Sequence, residues 1–117
     1  MISYNFYNPT KLVFGENTIE KIGELLSNVG SKKVLMIAGS GSIKKNNVYD
    51  ITINSLRKNG IEWRECWGVR ANPSLAKVRE AIAIAKKEKV DAVLAVGGGS
   101  VIDTTKIVAA GVYADDI

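Results

Sequence analysis

Apolar positions along the chain fall into two kinds of pattern, unbroken short runs and spaced stripes. Val34 to Ala38 (VLMIA) and Ala92 to Val96 (AVLAV) are unbroken and of strand length, which predicts strands covered on both faces, as in a parallel sheet. Ile61 to Cys66 (IEWREC) alternates apolar with polar residues and predicts a strand exposed on one face, nearer a sheet edge. Ser3 to Tyr7 and Lys11 to Phe14, around Asn8-Pro9-Thr10, read as an extended opening that ends at Gly15.

Between these runs the spacing turns helical. Asn17 with Glu20 resembles a capping box, and Ile19, Ile22, Leu25, Leu26 and Val29 share one face until Gly30 stops the helix. Tyr49, Ile53 and Leu56 form a narrower stripe ending at Gly60. Ser74 is placed to cap a long helix carrying Leu75, Val78, Ile82 and Ala85 on one side. Val101 to Val112 is apolar and alanine-rich, and predicts a helix lying largely inside the protein. Strand, loop and helix repeating in that order implies parallel strands joined by crossover helices, an α/β fold of Rossmann-like type preceded by a short N-terminal β segment.

Composition narrows the chemistry. The chain has 117 residues, 46% of them hydrophobic and 24% charged, as expected of one ordinary globular domain. No apolar run approaches the ~20 residues of a membrane span, and the opening MISYNFYNPT has no signal-peptide pattern, so a cytoplasmic location and no membrane partner are expected. The net charge of +4 raises nucleic acid as a partner, but the lysines are scattered or gather at helix ends (Lys86, Lys87, Lys89), and no nucleic-acid binding is expected. Cys66 is the single cysteine, read as packing. Histidine is absent, which removes the usual neutral-pH base and the commonest metal ligand.

Both unbroken strands end in glycine-rich loops that open helices. Ligands in open parallel sheets bind beyond the carboxyl ends of the strands, where glycine lets a ligand approach the backbone and helix N-termini favour anions. Gly97-Gly98-Gly99-Ser100 reads either as a phosphate cradle or as a tight turn packing strand on helix. It does not fit GxxxxGK[ST], and Ile102 occupies the third-glycine position of GxGxxG; the loop Gly39-Ser40-Gly41-Ser42 also fails at its third glycine. Ser100 and Asp103 form a capping-box-like pair, and Asp103 could also face sugar hydroxyls. Asn72 before Pro73 is turn chemistry or an amide donor to a sugar or phosphate oxygen. Lys106 is read as solvated, and Trp63 and Trp67 as packing residues.

NPTKLVFG, GSGSIKKNNVYD, ANP and LAVGGGSVIDTTK occur in one order. That order resembles the N-terminal domain of the iron-type (group III) alcohol dehydrogenases, most closely their butanol dehydrogenase-like branch, over nearly the whole chain. The resemblance implies NAD(P)-linked interconversion of a small aldehyde and a primary alcohol, by hydride transfer to a carbonyl polarised by iron or zinc. It matches Gly97, Gly98, Gly99 and Ser100 to the pyrophosphate loop and Asp103 to its partner aspartate. Asn72 matches the asparagine of the third loop, and Gly39, Ser40, Gly41 and Ser42 the loop that meets the adenosine ribose. It departs at Arg70-Ala71, where many branch members have Glu-Pro, and at Gly39-Ser40-Gly41, where they have three glycines. No carboxylate stands at Gly39 to accept from a ribose 2′-OH, while Ser40, Ser42, Lys44 and Lys45 suit a 2′-phosphate, which favours NADP over NAD.

Family members continue into a helical domain that carries the metal on an aspartate and histidines. This chain ends at Ile117 without histidine, so the expectation is one truncated dinucleotide-binding domain over residues 1–117, with no catalytic or metal-binding residues of its own and inactive alone. Its apolar last helix would favour association, a homodimer being the simplest case. Two other readings compete: a stand-alone nucleotide-binding module or decayed gene fragment, and a relative of glycerol dehydrogenase or dehydroquinate synthase.

Overall fold

The computed structural model describes residues 3–8, 11–15, 21–28, 30–39, 47–70, 74–97 and 99–112. Its elements in chain order are β1 (Ser3–Asn8), β2 (Lys11–Gly15), α1 (Ile22–Asn28), β3 (Lys33–Ala38), α2 (Val48–Lys58), β4 (Glu62–Cys66), α3 (Leu75–Glu88), β5 (Ala92–Gly97) and α4 (Gly99–Val112). The five strands form one sheet in the order β2-β1-β5-β3-β4. β5, β3 and β4 are parallel, and β1 joins them antiparallel, pairing with β5 on one side and β2 on the other. The opening β segment is therefore an extension of the main sheet.

The two unbroken apolar strands are the central ones, and their alternate residues feed two cores. Val34, Met36, Ala38, Ala92, Leu94 and Val96 pack with residues of α1 and α2. Leu35, Ile37, Val93 and Ala95 pack with residues of α3 and α4 on the other face. Successive side chains of a strand point to opposite faces, so a strand covered twice must be apolar throughout. β4 lies at the edge, as its alternation implies, with Glu62 and Arg64 exposed and Cys66 buried.

Helix boundaries follow local chemistry. Ser74 is the N-cap of α3, its hydroxyl accepting from Lys77 N–H at 3.1 Å. Lys89 closes the same helix in the left-handed conformation, and its backbone N–H bonds back to Ala85 and Lys86 carbonyls. Asn17, Glu20 and Val29 of the first helical stripe lie outside the described residues. α4 corrects the expectation of a helix largely inside the protein. Val101, Thr104, Thr105, Val108 and Gly111 are buried, while Asp103, Lys106, Ile107 and Ala110 are exposed. A helix resting on one face of a sheet buries a single stripe however apolar its remainder. Among the described residues no helix is long and apolar enough to cross a membrane.

Candidate dinucleotide site

The connection from β3 through α2 runs outward to β4, and the connection from β4 through α3 returns across β3 to β5. The topology therefore reverses between β3 and β5, and the crevice beyond their carboxyl ends is where an open α/β sheet takes its ligand. These ends are level, since Ala38 is opposite Val96 in the parallel register. Gly39 and Gly97 follow directly, and α4 starts at Gly99.

Val101 joins the three pieces. A β-carbon at Gly97 would lie 2.9 Å from Val101 Cγ2, and one at Gly39 would lie 3.5 Å from the same atom and 3.1 Å from Val69 O. Gly97 also has φ +152°, which disfavours a side chain. Both strand ends are thus packed so closely on the first turn of α4 that glycine is needed for the packing itself. The helix N-terminus beside them offers the N–H donors that a pyrophosphate needs.

β4 contributes from the other side. Beyond Cys66 the chain leaves the ladder but stays bonded to the end of β3, with Gly68 N–H donating to Gly39 O at 2.9 Å and Val69 N–H to Ala38 O at 3.2 Å. A cleft of about 500 Å³ lined by Gly68, Arg70, Ser74 and Lys77 opens beside this segment. Lys77 Nζ donates to Trp67 O and to Glu80 Oε2, each at 3.0 Å. The Cys66 thiol donates weakly to the same Glu80 oxygen at 3.5 Å. Burial, with that carboxylate second, pushes its pKa up to about 11, so the thiol is protonated and unreactive at neutral pH. Another cleft of about 510 Å³, lined by Ser31, Lys32 and Glu62 among others, lies at the amino ends of β3 and β4, the wrong end for a ligand in this topology.

Of the residues expected at the site, Gly39, Gly97, Gly99, Ser100 and Asp103 converge at the β3–β5 crevice and the first turns of α4. Ser40, Gly41, Ser42, Asn72 and Gly98 lie outside the described residues, as do Lys44 and Lys45. The capping-box reading of Ser100 and Asp103 is corrected by register. Ser100 is the second residue of α4 and Asp103 the fifth, whereas a capping box needs its serine just outside the first turn. The reason is that Val101, packed against Gly39 and Gly97 at two strand ends, draws the first turn of the helix close to the sheet. Val101 and Glu65 carry roles with no sequence signal beyond apolarity and strand alternation.

A family model for iron-containing alcohol dehydrogenase matches residues 9–117. The chain belongs to that family. It is 45% identical over 115 residues to NADH-dependent butanol dehydrogenase A of Clostridium acetobutylicum, covering 98% of this chain and 29% of that protein. It is 36% identical over 110 residues to an NADPH-dependent aldehyde reductase of Escherichia coli, covering 94% of this chain and 27% of that one. The crystal structure of NADH-dependent butanol dehydrogenase A from Thermotoga maritima superimposes with a TM-score of 0.80 at 56% identity, over 93% of this chain and 27% of that chain. The chain thus spans less than a third of the length of the family members it matches.

The family name implies iron. With no histidine in the sequence, and no group of three or more Cys, Asp or Glu converging among the described residues, those residues do not fit a metal site.

Proposed function

We propose that residues 1–117 form the dinucleotide-binding domain of a metal-dependent alcohol dehydrogenase, interconverting a small aldehyde and a primary alcohol when the rest of the enzyme is present. Glycine at both level strand ends of the reversal between β3 and β5, with α4 opening at Gly99, is the observation that carries this reading. In it, Gly97 to Ser100 and the N-terminus of α4 hold the pyrophosphate, and Asp103 faces the ribose side. Gly39 to Ser42 with Asn72 hold the adenosine half. The bound nicotinamide supplies or accepts hydride; the residues of this chain bind and orient it.

The nucleotide preference follows from charge. A carboxylate at the end of β3 would repel a 2′-phosphate, and glycine stands there instead. NADPH is therefore expected to bind at least as tightly as NADH, although the butanol dehydrogenases of 41–45% identity are named for NADH and the relatives at 36% for NADP or NADPH. Fluorescence titration of the chain with NADH and NADPH tests both points. Saturable binding of a dinucleotide without metal-dependent aldehyde reduction is the expected result. No saturable binding of either nucleotide would overturn the reading, and a strong preference for NADH would overturn the assignment of NADP.

A further inference from the structure

Trp63, Glu65 and Trp67 alternate on one face at the end of the edge strand β4, and both indoles turn their N–H onto the carboxylate between them. Trp63 Nε1 donates to Glu65 Oε2 at 3.0 Å and Trp67 Nε1 to Oε1 at 2.9 Å. A third donor arrives from the first turn of α2, where the Tyr49 hydroxyl donates to Oε2 at 2.6 Å. The Tyr49 and Trp67 rings meet with centroids 5.6 Å apart. The bond to the carboxylate, with burial second, lifts the tyrosine pKa to about 12.

This carboxylate bonds directly to one flank of the loop between β3 and α2 and reaches the other through the exit of β4. The flank after the loop is Tyr49 itself. The flank before it is Gly39, whose carbonyl accepts from Gly68 N–H, the residue after Trp67. We propose that Glu65 is a positioning residue for nucleotide binding: by holding Tyr49 and Trp67 at once, it sets the separation of the two ends of the 39–47 loop against the exit of β4. This rests on the dinucleotide reading above.

Two indole donors on two different oxygens require a carboxylate. In Glu65→Gln one of those oxygens becomes an NH₂ facing an indole N–H, and an indole cannot accept. The substitution therefore breaks one arm while keeping side-chain volume. With the protein fully folded, the affinity of Glu65→Gln for NADH and NADPH should fall about tenfold. Tyr49→Phe, which removes the hydroxyl of the α2 arm and keeps the ring, should lose about threefold. The indole N–H proton resonances of Trp63 and Trp67 should shift in the first variant, showing that the arm is broken. A merely structural role would lower the melting temperature and leave the dissociation constants unchanged. Unchanged constants in either folded variant, with the wild type binding normally, overturn the proposal. Failure of the wild type to bind instead removes the dinucleotide reading, and this inference with it.

Discussion

Gly97 and Val101 approach so closely that a β-carbon on the glycine would stand 2.9 Å from Cγ2 of the valine. The contact locks the end of β5 to the first turn of α4, and it explains why the strand ends in glycine independently of any ligand. Gly97→Ala should cost about 1–3 kcal/mol, from the positive φ and the clash together. In a Val101→Ala background the same substitution should cost less, because the opposing methyl is gone. Urea unfolding of the four proteins measures this, and equal costs in both backgrounds would rule out the clash.

Gly23 is packed more tightly still than Gly97. Its added β-carbon would meet Ser55 O at 2.1 Å, a backbone atom that cannot rotate away, while its N–H already donates to Ser55 Oγ at 2.9 Å. Gly23→Ala should separate α1 from α2 and cost about 3 kcal/mol or more. Gly60 is the contrast, with φ +70° and nothing within 4 Å, so Gly60→Ala should cost about 1 kcal/mol through backbone conformation alone. Similar losses at the two sites would sink the close-approach argument.

Asp91 ties the start of β5 to the start of β3. Its carboxylate accepts from the Ser31 hydroxyl, from Lys32 N–H at 2.7 Å and from Lys33 N–H at 3.4 Å, and its own N–H donates to Lys33 O at 2.8 Å. Asp91→Ala leaves the buried Ser31 hydroxyl and Lys32 N–H without this acceptor and should cost about 2 kcal/mol. Asp91→Asn, which retains one acceptor oxygen, should cost less. Amide hydrogen exchange at Lys32 and Lys33 should accelerate in the alanine variant, and unchanged exchange there would contradict the tie.

Alkaline pH should destabilise the fold through two groups. Folding raises the Cys66 pKa from 9.0 to about 11 and the Tyr49 pKa from 10.0 to about 12. Between the unfolded and folded values the unfolded chain has released protons that the native state retains, so unfolding becomes easier as pH rises. The stabilisation is complete below about pH 9 and is lost progressively as pH climbs through 11 to 12. Cys66→Ala should flatten the lower part of that fall. Thermal melts between pH 8 and 11 in both proteins provide the check, and identical slopes would exclude the thiol. Consistently, the thiol should react with an aromatic disulfide reagent at pH 8 only when the protein unfolds.

The strands at the centre of the sheet were legible because burial on both faces permits only one pattern. Val34 to Ala38 and Ala92 to Val96 could scarcely be anything else, and the alternation of IEWREC marked an edge strand for the converse reason. Ser74 was legible as a cap because its bond runs only three residues along the chain. Gly39 and Gly97 were legible as positions of close backbone approach because glycine after a buried strand is costly unless the backbone is needed there.

What the chain could not show by itself involved residues far apart in sequence. The pairing of β1 with β5 joins segments some ninety positions apart, and no local pattern encodes which edge an opening hairpin will take. Gly23 reads as an ordinary glycine within a helical stripe until Ser55 is placed against it. Glu65 reads as the polar half of an alternating strand until Tyr49 and two indoles converge on it. Ser100 looked like a cap because capping boxes are recognised by spacing, whereas where α4 begins was decided by how Val101 packs across two strand ends. Periodicity and local hydrogen bonding thus determined the elements and the end of the sheet at which the candidate site lies. The tertiary structure alone decided which side chains meet there, because contact between distant residues depends on how helices and strands pack, and a residue's own neighbours in sequence carry no record of it.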